Sequence, residues 1–235
     1  MLSEKFWEEY FRTYDILNIA IPYSQTIGKI CEFVPCGKKV SVFDAGSGTG
    51  NLSLALKSRG AKVTSLDYSS AGIAIHLQKD TQANIVKGDL TAPLPFADDY
   101  FDVIVSNNVI YTLPVEKWDG IFKEFYRVLK KDGIIVISNI NKNFKPLNIL
   151  LSHIKISLAD NGILKTVQDF FIFLPAVIKM FYYNWLIKKE NKSGEYCFVG
   201  LGDQSKALLK AGFSSVVTDL PVYAGQAYLD TAKKI

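Results

Sequence analysis

The residues that could do chemistry in this 235-residue sequence concentrate in one short segment. The stretch Asp44-Ala45-Gly46-Ser47-Gly48-Thr49-Gly50 combines an acidic side chain with three alternating glycines. Such glycines let backbone N–H groups approach a ligand at the start of a helix, which is typical of nucleotide sites. The dinucleotide pattern G-x-G-x-x-G fails, because Asn51 or Ser53 stands where the third glycine would fall. Asp44 would repel a pyrophosphate and attract a cationic ligand.

Two further acids follow strand-like segments. Asp67 comes 17 residues after Gly50, where a carboxylate in such a fold accepts hydrogen bonds from ribose hydroxyls. Its alternative role is to cap a helix that begins near Ser69. Asp89 ends a third strand-like segment, where it could accept from an exocyclic amino group of adenine or form a turn before Pro93.

Strand-like and helix-like segments alternate five times between residues 39 and 140, which is typical of an open, mostly parallel α/β sheet. The whole chain, 1–235, is predicted to form a single domain. Its predicted parts are an N-terminal helical cap (1–38), a cofactor-binding half (39–140), a hydrophobic helical lid insertion (141–200), and a C-terminal helix with a strand pair (201–235).

The composition excludes several classes of protein. Hydrophobic residues make up 49% and charged residues 21%, which excludes an intrinsically disordered chain. The net charge of +4 is too small to indicate a nucleic-acid partner. Three cysteines and two histidines lack the spacing of a zinc site, so no metal is expected. The acidic N-terminus does not resemble a signal peptide, and a cytoplasmic location is therefore predicted.

The insertion is the main sequence evidence on the substrate. Residues 141–190 are rich in aliphatic and aromatic side chains, but Lys179, Asn184 and Pro175 argue against a transmembrane span. The favoured interpretation is a lid that covers a pocket for an apolar substrate. In addition to this role, residues 141–190 could contact a membrane peripherally, with their lysines facing anionic lipid. A homodimer interface is the third alternative.

Five segments together resemble the class I S-adenosylmethionine-dependent methyltransferases. They are VFDAGSGTGNLS (42–53), SLDYS (65–69), VKGDL (86–90), FDVIVSNNVIYTL (101–113) and VLKKDGIIVIS (128–138). Within this family the sequence is similar to small-molecule members, such as those of ubiquinone and menaquinone biosynthesis. The resemblance implies a Rossmann-like, seven-stranded, mostly parallel sheet with its last strand antiparallel. It also implies S-adenosylmethionine as cofactor and S-adenosylhomocysteine as product.

The resemblance also implies which residues hold the cofactor. Tyr68 would pack on the adenine, and Asn107 would contact the amino-acid end through its backbone. The N-terminal segment 14–24 is similar to the cap of the quinone-biosynthesis members and adds two tyrosines, although packing within the cap would explain both. The implied set is Asp44, Gly46, Ser47, Gly48, Gly50, Asp67, Tyr68, Asp89, Leu90, Asn107, Tyr14 and Tyr23.

Catalytic candidates are fewer. Tyr111 follows the fourth strand at a position that faces the acceptor in similar proteins, and His153 could act as a base from the insertion. His76, on the helix after Asp67, is expected at the surface.

The predicted reaction is methyl transfer from S-adenosylmethionine to an apolar small molecule or lipid-like acceptor. Methylation of a nucleobase or glutamine amino group is disfavoured, since 106–109 reads SNNV instead of NPPY or DPPY. The alternatives are an RNA or protein methyltransferase, which would need a basic groove, and a non-catalytic subunit that binds S-adenosylmethionine.

Overall fold

A computed structural model describes residues 4–17, 20–35, 37, 39–190 and 197–235. The strands of this part are β1 (Ser41–Ala45), β2 (Lys62–Asp67), β3 (Asn84–Lys87), β4 (Phe101–Asn107), β5 (Leu129–Ile140), β6 (Ser214–Val222) and β7 (Ala227–Lys233). They form one sheet in the order β3-β2-β1-β4-β5-β7-β6. Neighbouring strands are parallel from β3 to β5, and β7 runs antiparallel to both β5 and β6. The predicted fold class is confirmed.

The described helices alternate with the first five strands and then extend beyond them. They are α1 (Glu4–Leu17), α2 (Ile21–Phe33), α3 (Asn51–Ser58), α4 (Ser70–Lys79), α5 (Val115–Val128), α6 (Pro146–Glu190) and α7 (Asp203–Lys210), with a 3-10 turn at Ile110–Thr112. The first two correspond to the predicted helical cap. Helix α5 buries one apolar stripe, which includes Trp118, Phe122 and Phe125, as expected for a helix that covers a sheet.

The centre of the core lies between β1 and β4. Phe43 is fully buried and stacks on Phe101 with ring centres 5.1 Å apart. Val103 and Val105 of β4 are buried as well, because helices cover both faces of the parallel part of the sheet. Burial of each such side chain contributes roughly 1.5–3 kcal/mol, so the strand ends that carry the site are held rigidly.

The predicted lid is a helical hairpin. Gly162 interrupts α6 with φ 79° and ψ 174°, which divides it into arms 146–161 and 163–190. Across this corner Thr166 Oγ1 lies 2.9 Å from Ser157 Oγ, and the rings of His153 and Phe173 are 4.9 Å apart. These contacts pair positions symmetrically about the corner, so the two arms run antiparallel.

Both ends of the insertion meet beside β5. Asn141 forms a parallel bridge with Val199. The Lys142 N–H donates to the Val199 carbonyl at 2.9 Å, and the Val199 N–H donates to the Ile140 carbonyl at 3.1 Å. The hairpin therefore leaves and rejoins the sheet at neighbouring points.

Candidate active site

One cavity of about 230 Å³ lies at the carboxyl ends of the central strands. Its floor is the Gly-rich turn after β1 and the loops after β2, β3 and β4, and its other walls come from α1, α2 and the hairpin. This is the position where open α/β sheets bind ligands, beside the strands at which the chain order reverses. It is lined by every predicted site residue except Gly50: Asp44, Gly46, Ser47, Gly48, Asp67, Tyr68, Asp89, Leu90, Asn107, Tyr14, Tyr23, Tyr111 and His153.

The Gly-rich turn is tied to the end of β2. The N–H groups of Gly46 and Ser47 both donate to the Leu66 carbonyl, at 2.8 and 3.1 Å. Gly46 has φ 83°, and a Cβ atom there would lie 2.4 Å from a methyl group of Val109. Only glycine fits this approach of the turn to the loop after β4.

The sequence-based expectation that His76 lies at the surface was wrong, whereas the cofactor contact of Gly50 stays a prediction. Gly50 does not line the cavity; it precedes α3 with φ 83°, and a Cβ atom there would lie 2.2 Å from the His76 ring. His76 is 1% exposed instead of lying at the surface, and burial lowers the pKa of its imidazole. The missing side chain of Gly50 makes the space that this ring fills, so this glycine serves packing.

Asp67 joins two parts of the cavity floor. Its carboxylate accepts from the Gly48 N–H at 2.7 Å and from the Ser69 N–H at 2.8 Å. Burial raises the pKa of Asp67, and these backbone donors oppose that shift. The capping alternative does not hold, because Ser69 caps α4 by accepting from the Gly72 N–H. Asp67 therefore shapes the floor while lining the cavity.

Asp89 and Tyr68 lie at the outer rim. The Asp89 carboxylate accepts from the Thr91 N–H at 2.8 Å, so the turn predicted for it exists. The residue also lines the cavity, so its turn does not prevent contact with a ligand. Tyr68 is half exposed, which leaves a ring face available at the rim.

Asp44 is the most deeply buried charge of the site. It is 1% exposed, and burial raises its pKa to about 7 against a hydrogen bond from Ser53 Oγ at 2.5 Å. Ser53 is held in turn by Ser65, 2.8 Å away. No lysine or arginine of the described chain pairs with Asp44. A buried carboxylate without a counterion suits a cationic ligand, which would favour its ionised form.

Four buried polar atoms at the cavity have no hydrogen-bond partner within the described residues. They are Ser47 Oγ, Asn107 Oδ1, Asn108 Oδ1 and His153 Nε2. An unsatisfied buried polar group costs roughly 1–3 kcal/mol. These atoms are placed to form hydrogen bonds with a polar ligand or with ordered water in the cavity.

Tyrosines form much of the cavity wall: Tyr10, Tyr14, Tyr23, Tyr111 and Tyr223. Consecutive rings from Tyr10 through Tyr14 and Tyr23 to Tyr223 have centres 5.4, 5.8 and 6.2 Å apart. Burial raises the pKa of Tyr23 to about 12, so its phenol stays neutral. Aromatic faces attract cations, as Asp44 does. Sequence reasoning missed Tyr10, although it lies four residues before Tyr14 on the same face of α1, and Tyr223, which has no local signal.

A polar contact that the sequence did not reveal holds α1 across the Gly-rich turn. Asp15 accepts from Thr49 Oγ1 at 2.7 Å and from Lys79 Nζ at 2.5 Å. Lys79 also donates to Asn51 at 2.8 Å. These hydrogen bonds join α1 to the Gly-rich turn and to the end of α4.

His153 is placed as a hydrogen-bond donor to the cavity. Its Nδ1 accepts from the Ile21 N–H at the start of α2, 3.2 Å away, so in the neutral ring the proton lies on Nε2. Burial lowers the pKa of the imidazole, and the positive end of the α2 dipole acts in the same direction. The geometry therefore favours donation from Nε2 over the base role suggested by the sequence.

Tyr111 is fixed in the loop after β4. Its N–H and that of Val109 donate to Asn139 Oδ1 at 3.2 and 3.1 Å, and its ring stacks on Phe198. Burial holds the pKa of its phenol far above the ordinary value, so at neutral pH this group is also a donor.

Comparison with known proteins identifies the family. The methyltransferase-domain family matches residues 43–137. An uncharacterized methyltransferase of Bacillus subtilis, YbaJ, is 30% identical over 77% of this chain and 69% of its own. The chain belongs to the class I S-adenosylmethionine-dependent methyltransferases. A demethylmenaquinone methyltransferase of Clavibacter sepedonicus is 35% identical over 45% of this chain and 43% of its own. This is consistent with the resemblance to quinone-biosynthesis members.

The fold of this methyltransferase matches solved structures as well. A TehB-like S-adenosylmethionine-dependent methyltransferase from Corynebacterium glutamicum has a TM-score of 0.62 at 17% identity, covering 99% of this chain and all of that one. The chain spans about half the length, 43–53%, of several curated relatives that it matches. Among those are malonyl-[acyl-carrier protein] and rRNA methyltransferases, so the family does not fix the acceptor.

The residues of the cavity fit the family's cofactor, S-adenosylmethionine. The ligand carries an ammonium and a sulfonium group, for which the carboxylate of Asp44 and the tyrosine faces are suited. Asp67 would hold the ribose, and the unpaired atoms of Ser47 and Asn107 offer further hydrogen bonds.

Proposed function

We propose that this protein transfers a methyl group from S-adenosylmethionine to an apolar small molecule or lipid-like acceptor. One observation carries the proposal: a single cavity extends from the cofactor residues to the inner face of the hairpin. That face contributes Ile149, Leu150, Phe173, Val177 and Met180. S-adenosylmethionine supplies an electrophilic methyl group. The chain's own residues would hold the acceptor beside it and exclude water, which provides much of the rate in a displacement at carbon.

His153 is the polar residue among the described hairpin residues that line the cavity. Its unpartnered Nε2–H would donate to an oxygen of the acceptor and orient it within an otherwise apolar wall. His153 and Tyr111 are both neutral hydrogen-bond donors, so they would position the nucleophilic atom of the acceptor. Neither side chain would act as a strong base toward that atom. This favours an acceptor with an acidic hydroxyl group, such as a hydroquinone-like ring, which would release its proton to solvent before its phenolate oxygen displaces S-adenosylhomocysteine from the methyl group.

The cofactor step is tested first by calorimetric titration with S-adenosylmethionine and S-adenosylhomocysteine. Both should bind, NAD should not, and Asp67→Ala should weaken binding by about tenfold or more, since hydrogen bonds to charged groups contribute roughly 1.5–3 kcal/mol. Transfer is then measured with methyl-labelled S-adenosylmethionine and separated lipid, RNA and protein fractions. Label in RNA or protein would overturn the acceptor proposal. Cofactor binding without transfer to any fraction would indicate a non-catalytic subunit.

The role of His153 is tested with two substitutions. Once an acceptor is found, His153→Phe should raise its KM by about three- to tenfold, which corresponds to one hydrogen bond. The Kd for S-adenosylhomocysteine should not change. His153→Gln can both accept from the Ile21 N–H and donate to the cavity, so it should retain much of the activity. Loss of an ionisation from the pH profile of kcat in both variants would instead show that His153 is a base.

A further inference from the structure

The inner face of the hairpin is fully used by the fold. Along the second arm the buried positions recur at spacings of three, four and seven residues: Thr166, Phe173, Ala176, Met180, Tyr183 and Ile187. Met180, Tyr183 and Ile187 pack with Tyr10 of α1. This is the single apolar stripe that a surface helix needs, and the opposite face should then be polar.

The outer face is apolar instead. Ile163 and Leu164, next to the Gly162 corner, are 75% and 76% exposed, and Phe171, Ile172, Ile178 and Tyr182 are more than half exposed. The most apolar 18-residue window of α6 has a mean hydropathy of 1.5, yet only 29% of it is buried. By length and composition alone α6 could cross a membrane, but the corner at Gly162 divides it. An exposed apolar surface of this kind marks an interaction site.

We propose that this outer face, with the corner at its tip, binds the surface of an anionic lipid bilayer. The segment 146–190 carries five lysines against two aspartates and one glutamate. Lys155, Lys179 and Lys189 are exposed among the apolar residues. Anionic headgroups attract these charges while the apolar side chains enter the acyl boundary.

The charge distribution favours a bilayer over a second copy of the chain. A two-fold symmetric dimer places the same surface against itself, so a segment with more lysines than acidic residues would meet a second copy with the same excess. Aromatic residues at the base of the second arm suit headgroup level. Tyr182 and Trp185 stack with ring centres 6.2 Å apart, and Lys189 Nζ lies 5.4 Å from the Trp185 ring centre.

The same face reaches the cavity. Phe181 lines the cavity and is also 43% exposed on the outer surface, next to Tyr182. If the proposed function holds, an apolar acceptor dissolved in the bilayer would enter beside Phe181 without crossing water. Bilayer binding itself requires neither cofactor nor transfer, so it can be tested separately.

The test is co-sedimentation of the full chain with vesicles of phosphatidylcholine, with and without phosphatidylserine. The chain should sediment with the anionic vesicles, and salt should reduce the bound fraction. Ile163→Asp combined with Leu164→Asp should reduce partitioning by about tenfold or more, since both charge and lost apolar contact oppose insertion. The matched control is Leu201→Asp combined with Leu209→Asp, which adds the same charge at exposed leucines outside the hairpin.

The outcomes separate the alternatives. Unchanged S-adenosylhomocysteine binding by the tip variant would show that its fold is intact. Wild-type chain that stays in the supernatant, or a tip variant that sediments as well as the control variant, would overturn the proposal. A wild-type dimer that the tip substitutions convert to a monomer, without vesicle binding, would assign the face to a second copy. Vesicle binding by a chain that transfers label to RNA or protein would support this surface and refute the proposed acceptor.

Discussion

Cofactor binding should depend on pH near neutrality because of Asp44. Burial raises the pKa of this carboxyl to about 7, so the group is close to half protonated at neutral pH. S-adenosylhomocysteine carries an ammonium group that the ionised carboxylate favours and the protonated carboxyl does not. A group that must lose a proton before it binds its ligand gives an affinity that rises with pH. Binding should therefore weaken as the pH falls through about 7.

The size of the effect follows from the pKa of Asp44. About one tenth of the Asp44 carboxyl groups are ionised one pH unit below the pKa, and about nine tenths one unit above it. The Kd should therefore fall about tenfold over those two pH units, which corresponds to about 1.4 kcal/mol of binding free energy. Burial lowers the pKa of His153 from 6.5, so its imidazole titrates at lower pH than Asp44. Tyr23, with a pKa near 12, stays neutral. Asp67 would act in the same direction, because burial raises its pKa too, and must be separated by substitution.

Calorimetric titration with S-adenosylhomocysteine across this pH range provides the measurement. Asp44→Asn should bind weakly at all pH values and keep only the slope that Asp67 causes, while Asp67→Asn should keep the slope that Asp44 causes. Ser53→Ala removes the donor that stabilises the ionised carboxylate, so its midpoint should move to higher pH. A Kd that is independent of pH in the wild-type chain, or a slope that is as steep in Asp44→Asn as in the wild-type chain, would refute the assignment to Asp44.

Two further substitutions test the packing of Gly50 against His76 and the attachment of α1 to the Gly-rich turn. Gly50→Ala should lower the free energy of unfolding in urea by about 1–3 kcal/mol, from its positive φ and its contact with His76. Adding His76→Ala to this variant should restore the part of the unfolding free energy that was lost to contact between the new methyl group and the His76 ring. A double variant no more stable than Gly50→Ala would contradict this explanation. Asp15→Asn should speed S-adenosylhomocysteine dissociation about fivefold in stopped-flow measurements, which corresponds to about 1 kcal/mol lost with the bonds to Thr49 and Lys79. An unchanged rate would show that α1 does not control release.

Local patterns were sufficient to predict the sheet and much of the cavity floor. Val42 and Phe43 of β1, like Val103 to Val105 of β4, are consecutive apolar residues, which indicates strands covered on both faces. The carboxyl ends of parallel strands lie at one edge, so acids such as Asp44 and Asp67 had to meet there. The Gly-rich turn was recognisable because its chemistry is contained within seven consecutive residues.

Contacts between distant segments could not be predicted in this way. Asp15 meets Thr49 across 34 positions, and His153 acquires its tautomer from Ile21, 132 positions away. His76 is buried although it is polar, so hydrophobic periodicity pointed to the wrong face of α4. Each depends on how helices pack above the sheet, which one-dimensional spacing does not encode.

The adjacent ends of the insertion have a consequence for how this enzyme could diversify. Since Ile140, Lys142 and Val199 close a hydrogen-bonded neck, the segment between them can vary in length and composition without changing the pairing of β5 with β7. The Gly-rich turn and Asp67 lie outside that segment, after β1 and at the end of β2. If the hairpin selects the acceptor as proposed, its exchange as one module would alter which acceptor is methylated and leave the methyl donor the same.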